Sequence, residues 1–351
     1  MQVNVIAPSF QPFLDSSVED CPQAVAWSDD GQLLAVGGIG GTIVVLDVEA
    51  CSELARWQAH EGGMFALAWQ PGSRRLASCG QDGHARVWRF ASTGAVLDFE
   101  LRQTTDWVEH CSWQPGGRLL AVAAGRRANI YQADGRLLRE VGFEESTIAA
   151  IAWRPTGAQL VLAGYNSVRI SSPLDAGDTP KMLRWPGSMV SVRWNPAGTI
   201  IAAGCQDCTV HFWRLRDGDN SQMTGYDTKP RQLGWSASGD WLATDGSSDV
   251  TLWSFRKPGP EGLPPIALRQ HRKPIKTLDF APKGNLLLSG CAGGLICLWD
   301  RLADFEPPRI KFQSGAGVEL LAWHPLTKRR MFAAACEDGD VCVYTVPAFS
   351  H

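Results

Sequence analysis

The chain has 351 residues, 44% of them hydrophobic and 20% charged, with a formal net charge of −3 and a pI near 6.2. That balance offers no clustered positive field for a polyphosphate or an anionic bilayer. No apolar run is long enough to cross a membrane, and ten cysteines scattered through a chain of this size read as reduced thiols, not as staples of a small secreted domain. The expectation is a cytoplasmic protein with no nucleic-acid partner and no membrane insertion. Arg far outnumbers Lys, a bias common in GC-rich bacterial genomes.

Met1 to Phe10 lacks a basic n-region, a continuous apolar core and a small-residue cleavage site, and so is not read as a signal peptide. From there on, an apolar strand runs into an aromatic and then a turn eight times, at Trp27, Trp69, Trp113, Trp153, Trp194, Trp235, Phe280 and Trp323. The spacing stays between 40 and 45 residues, the period expected of four-stranded sheets that cannot bury their faces alone. A single domain of repeated β-meanders over residues 1–351 follows.

The second unit is the most complete. Met64 to Trp69 alternates as a strand, Gln70-Pro71-Gly72-Ser73 turns, and Arg75 to Cys79 resumes an apolar strand. Gln81-Asp82-Gly83 then reverses the chain into a third strand, Ala85 to Trp88, and Val96 to Leu101 can form a fourth. The first turn recurs in the other units, for example as Ser28-Asp29-Asp30-Gly31, Asn195-Pro196-Ala197-Gly198 and Ala281-Pro282-Lys283-Gly284. Pro presets φ early in such a turn and Gly supplies positive φ late in it. The last unit departs, with His324-Pro325-Leu326-Thr327-Lys328 and no Gly.

These residues resemble the WD40 family of β-propellers over nearly the whole chain. The signature dipeptide stands once, as Trp299-Asp300, and its aromatic position holds Trp88, Tyr131, Trp213, Trp253 and Tyr344 elsewhere. The resemblance implies a buried hydrogen-bonded set of His, Ser or Thr, Asp and Trp in each unit. Only the second unit has all four, as His60, Ser78, Asp82 and Trp88, while the seventh keeps His271, Ser289 and Trp299 but has Gly293 in place of the Asp. Burial of the Ser argues for a structural network and against a catalytic triad. Eight three-strand cores with seven complete fourth strands predict an eight-bladed, all-β propeller, closed by an N-terminal strand at Val3 to Leu14 that completes the last blade.

Chemistry-bearing motifs are sparse. Cys205-Gln206-Asp207-Cys208 with His211 has metal-like spacing, but a closed zinc site wants four ligands and no second pair exists. Arg126-Arg127 and Lys328-Arg329-Arg330 read as solvated turns. Gly37 to Gly41 reads as a flexible hairpin turn, since a phosphate cradle needs a following helix. No nucleophile, base and oxyanion constellation appears, so no catalytic residue and no cofactor is expected.

Function in such a fold resides in loops. In WD40 proteins the usual binding face bears the fourth-to-first and second-to-third strand loops. Carried onto this chain, the resemblance implies partner-binding positions at Phe65, Gln81, Trp107, Glu109, Tyr165, Gln206, Lys229, Arg231, Lys276, Glu319 and Glu337. Phe65, Trp107 and Tyr165 form an expected aromatic arc, and Lys229, Arg231 and Lys276 a basic sector opposite it. The Pro-rich connector Phe255 to Pro265 and the connector Arg301 to Arg309 belong to the other face. The expected function is a non-catalytic, monomeric cytosolic scaffold that holds protein partners. The alternative is a propeller that binds a small ligand or a zinc ion through its central channel or the Cys205/Cys208 turn.

Overall fold

The structure is a computed structural model that describes residues 9–91, 94–103, 107–257, 259–303 and 306–349. Every element named is an antiparallel β-strand, arranged in six four-stranded sheets and one of seven strands. The reference unit runs Met64–Trp69, Arg75–Gly80, His84–Ala91 and Gly94–Arg102, paired in chain order. Its third and fourth strands extend beyond the lengths expected from their apolar stretches, because the Trp88, Arg89 and Phe90 backbone continues the ladder past a bulge at Val87/Trp88.

The second strand of each unit explains why these sequences are so rich in Ala, Val and Gly. Leu33–Gly38, Leu119–Ala124 and Met331–Cys336 are buried at every position. A strand with a neighbour on each face has no polar side, and its small residues let the sheets approach. Fourth strands such as Ser52–Gln58 are mostly exposed or half-buried and carry the polar residues.

The aromatic marks join one unit to the next. The indole N–H of Trp69 donates to the Ala26 carbonyl at 3.0 Å, Trp153 to Ser112 at 2.9 Å, Trp194 to Ala152 at 3.1 Å and Trp323 to Asp279 at 3.0 Å. Each acceptor is the residue just before the aromatic of the preceding unit. Trp27 donates in the same way to Ala322 at 3.0 Å, across 295 residues of sequence, so the first unit sits against the last. Contacts between first strands run from Pro22–Trp27 through each unit in turn to Val318–Trp323 and back to Pro22–Trp27.

One expectation needs correction. Among the described residues the N-terminal strand pairs with the last unit as Gln11–Ser17 against Asp340–Thr345, running past the expected end at Leu14. The alternation places Leu14 inward at a bulge between Pro12 and Leu14; Val3 to Pro8 lie outside the described residues. The sheets number seven because the fourth strand of the fourth unit and the first strand of the fifth are one strand, Lys181–Trp194. Its first half pairs with Tyr165–Ser171 and its second half with Ile200–Cys205. Gly187, at φ +108, lets the backbone turn between the two sheets without a break.

Phe10 and Phe13 provide a test of the N-terminal segment's packing on the last unit. Phe10 is 3% exposed and lies edge-on to Phe332 at 4.8 Å, whereas Phe13 is 40% exposed. Phe10→Ala is expected to lower unfolding stability by about 3–5 kcal/mol, and Phe13→Ala to stay within about 0.5 kcal/mol of wild type. Chemical denaturation of the two variants checks this; equal stabilities would refute the packing of the N-terminal segment.

Candidate functional site

A repeated backbone bond builds one rim of the molecule. The amide that opens the second-to-third turn donates to a carbonyl in the segment leading into the first strand of the same unit. The pairs are Ile39 to Cys21, Gln81 to Gly63, Gln206 to Ser188, Ala292 to Pro274 and Glu337 to Gly317, at 2.8 to 3.0 Å. Gln81, Gln206 and Glu337 therefore share one structural position. Ile39 shares it too and is 51% exposed, although the first unit has no turn Asp to signal it.

The apolar part of this rim centres on Phe65 and Trp107, whose rings lie 5.8 Å apart at 47°. Val108 explains the exposure of Trp107. Its side chain is fully buried and its amide donates to the Gly80 carbonyl at 3.0 Å, which leaves the preceding Trp107 53% exposed. Ile39 approaches through Gly63, at φ +132, where a Cβ would lie 2.9 Å from the Ile39 carbonyl oxygen and 3.2 Å from the Gln81 side chain. Glycine is thus required for the Ile39 backbone and the Gln81 side chain to approach here. Beside them Glu109 is half-buried, and desolvation raises its carboxyl pKa.

The aromatic arc is shorter than expected. Tyr165 is 48% exposed, with its amide bonded to Ser146 Oγ at 2.9 Å, but no aromatic contact joins it to Phe65 or Trp107 among the described residues. The basic sector is also modified. Lys276 Nζ lies 2.9 and 3.1 Å from the two carboxylate oxygens of Glu319, so that cation is paired within the chain. Arg231 is exposed, and its amide and that of Gln232 donate to Asp245 Oδ1 at 2.8 and 2.9 Å. Burial pushes the Asp245 carboxyl up to about 6, against those bonds. Lys229 is half-buried, Gln206 and Glu337 exposed.

Behind the rim the hydrogen-bonded set of the second unit is complete. His60 Nδ1 lies 3.0 Å from Asp82 Oδ1, Ser78 Oγ lies 2.8 Å from His60 Nε2, and Trp88 Nε1 donates to Ser78 Oγ at 2.9 Å. Burial alone would raise the Asp82 pKa, but bonds from Arg86 and His60 outweigh it and hold the carboxylate below its ordinary range. Arg86, which also donates to the Ala59 carbonyl at 2.9 Å, is a member that the motif did not identify. Burial depresses the His60 pKa, outweighing the bond to Asp82 that would raise it. Ser78 is fully buried and His60 1% exposed.

Other units rebuild the set with different residues. In the sixth, Trp253 Nε1 donates to Tyr226 Oη at 2.6 Å and Tyr226 Oη bonds Thr244 Oγ1 at 2.8 Å, a tyrosine in the role of the histidine. In the third, Gln103 bonds Tyr131 Oη at 3.0 Å. The seventh keeps His271 Nε2 and Trp299 Nε1 on Ser289 Oγ, each at 2.8 Å, but His271 Nδ1 is buried without a partner.

The Cys205, Cys208 and His211 side chains do not converge. His211 is fully buried, its ring stacked 3.7 Å from Trp185, and burial pushes the Cys205 thiol up to about 11, far from a thiolate. Among the described residues no group of three or more His, Cys, Asp or Glu could hold a metal ion. Gly37 to Gly41 is an ordered strand end and turn with Asp20 accepting from Gly40 at 2.6 Å.

Comparison with known proteins agrees with this architecture. The family described as the IFT122 first β-propeller matches residues 21–299. The chain is 24% identical over 304 residues to actin-interacting protein 1 of Drosophila melanogaster, covering 84% of this chain and 42% of that protein. It is 21% identical over 335 residues to WD repeat-containing protein 1 of Xenopus tropicalis, covering 92% and 46%. The chain thus spans less than half the length of these relatives. The crystal structure of the computationally designed Ika8 protein superposes with a TM-score of 0.78 at 18% identity, covering 96% of this chain and all of that one, a likeness of fold.

Gly293 tests the reading of the networks. It is outside the positive-φ set, and a Cβ there would touch only flexible or small groups, 3.0 Å from Lys273 Cγ and 3.7 Å from Cys291 Sγ. Gly293→Asp is expected to give His271 Nδ1 its missing acceptor and to raise stability by about 1 kcal/mol. Burial depresses His271 to about 4 in the folded chain. Below pH 6.5 the unfolded chain takes up a proton that folded His271 refuses, so this histidine's contribution is constant above 6.5 and lost as pH falls toward 4. In Gly293→Asp the imidazole titration, followed by NMR, should move upward and that acid-side loss should shrink.

Proposed function

This chain belongs to the WD-repeat β-propeller family of the IFT122 first propeller, and from that premise we propose that it is a non-catalytic scaffold whose protein partner docks on the rim carrying Ile39, Phe65 and Trp107. The observation that carries the reading is the Phe65–Trp107 pair, a large apolar ledge held outward by the buried Val108 beneath it. Rigid aromatics presented on fixed backbone cost little entropy on binding and dominate interface energies. Ile39 stands exposed on the same rim, and Gln81 and Glu109 add hydrogen-bonding groups to it. Lys229 and Arg231 stand in a separate sector suited to carboxylates of the same partner, with Gln206 between them and the ledge in chain order. The Lys276–Glu319 pair contributes less, since a cation already paired gains little from a second anion. Tyr165 and Glu337 belong to the same rim in the fourth and eighth units.

The eight-blade count belongs to the same proposal. Its support is the continuous strand Lys181–Trp194, which supplies the fourth strand of one blade and the first of the next, and the pairing of Gln11–Ser17 with the last unit. Location in a reducing cytoplasm is also proposed, and all ten cysteines are free thiols.

Affinity capture from cells of the source organism, compared between wild type and Trp107→Ala, tests the docking face. Trp107→Ala is expected to leave the thermal melt within about 2 °C, because the side chain is half exposed, and to weaken the captured partner by about 2 kcal/mol, roughly 30-fold. An Ile39→Asp variant should lose the same protein, and Lys229→Glu/Arg231→Glu should weaken it in a salt-dependent way. An unchanged set of captured proteins in all three variants would reject this face.

A further inference from the structure

The turn between the first and second strands is five residues long in five units and six in the fourth and seventh. In the eighth it is seven, His324 to Arg330, between strands Val318–Trp323 and Met331–Cys336. Insertions in an otherwise regular repeat map to loops on one face and are where binding is added. This insertion is also well ordered by its own bonds. His324 is 1% exposed; its Nε2 lies 3.0 Å from the Gly31 carbonyl of the first unit, and its Nδ1 accepts from the Leu326 amide at 3.1 Å. The Arg329 amide closes onto the Leu326 carbonyl at 3.1 Å. The outcome is Leu326 held outward, 44% exposed.

Between this turn and that of the seventh unit lies a cavity of about 170 Å³ with Pro282, Leu286, Trp323 and Leu326 among its walls and Lys283 and Arg329 at its lining. Lys328 is exposed next to them, and Arg330 is held over the Phe349 ring at 5.2 Å. Among the described residues no carboxylate lies within 4.0 Å of Lys283, Lys328, Arg329 or Arg330. Lys283, Arg329 and Arg330 thus line an apolar slot without a carboxylate partner among the described residues, in a chain of net charge −3.

We propose that this groove docks an acidic linear segment of a partner protein, with one apolar side chain in the cavity and flanking carboxylates on Lys283 and Arg329. The cavity is smaller than the range typical of small-molecule sites and suits a single side chain. Arg329 presents a fork that matches a carboxylate. A nucleic acid would require a row of cations along its backbone and exposed aromatic faces for its bases; here the cations surround a single slot and Trp323 is 7% exposed. The site is separate from the Ile39–Trp107 rim, because each first strand begins at that rim and ends at these turns.

Selection from a randomised nine-residue peptide library on the whole chain, counter-selected on Lys283→Glu/Arg329→Glu, tests the proposal. Both substituted residues are exposed, and thermal melts confirm that the variant is folded. The expected peptides carry at least three Asp or Glu around one Leu, Ile, Met or Phe, bind about tenfold or more weakly to the variant, and weaken further when salt is raised from about 0.05 to 0.3 M. Replacing the apolar residue of a selected peptide by Ala should cost a further tenfold or so. Selection of peptides without acidic residues, or of none that the variant discriminates, would overturn the proposal. So would tighter binding of a single-stranded DNA 20-mer or of phosphoinositide vesicles, lost in the same variant, since it would assign the cations to a polyanion.

Discussion

One hydrogen bond, from an indole N–H to the carbonyl just before the aromatic of the preceding unit, sets the relation between neighbouring sheets. It recurs at Trp69, Trp153, Trp194, Trp323 and Trp27 at 2.9 to 3.1 Å. Apolar burial alone is non-directional and would tolerate a range of sheet angles. A polar atom on a large, mostly buried ring restricts that range, because an unpaired buried N–H is costly. Where the bond is missing, packing must suffice: Phe280 has no N–H to give, and the indole nitrogens of Trp113 and Trp235 are buried without partners. Trp27 matters most for the whole, since its bond to Ala322 joins the beginning of the repeat to its end.

Rigidity obtained in this way has consequences for the loops. The backbone bonds from second-to-third turns onto the segments leading into first strands hold the rim at fixed height in five units. The buried sets behind it, His60–Ser78–Asp82–Trp88 and Tyr226–Thr244–Trp253, tie such segments to third strands. The side chains projecting from so constrained a rim are free to vary without loss of fold. Ile39, Trp107 and Tyr165 are exposed apolar groups on that rim. The opposite end of the strands carries the third-to-fourth connectors and short first-to-second turns, of which the basic turn of the last unit is the longest.

Degeneracy of the repeat follows from the same economy. A hydrogen-bonded set stabilises a unit by satisfying polar atoms that the set itself introduces, so a unit can replace it with apolar or differently bonded residues at little net cost. Trp185 stacked on His211 in the fifth unit is such a replacement, although both His211 nitrogens are left unpaired. The seventh unit retains the histidine but not the aspartate, and its His271 Nδ1 is likewise orphaned.

The all-β repeat, its period and the boundaries of the second unit's first strand were legible in the sequence, because period-two alternation and turn chemistry are local properties. The complete His60 set was legible for a similar reason: its members stand at regular offsets from the Trp. Tertiary structure decided what depended on residues distant in the chain. The position of the N-terminal strand at Gln11–Ser17 is determined by its register on Asp340–Thr345, to which the alternation near Val3 gives no guide. Ile39 joined the rim only through its bond to Cys21, Lys276 left the basic sector only through Glu319, and Arg86 and Tyr226 entered their networks through space. Hydrophobic patterning specifies which side of a strand is buried; which polar groups then meet is determined by how the units close on one another.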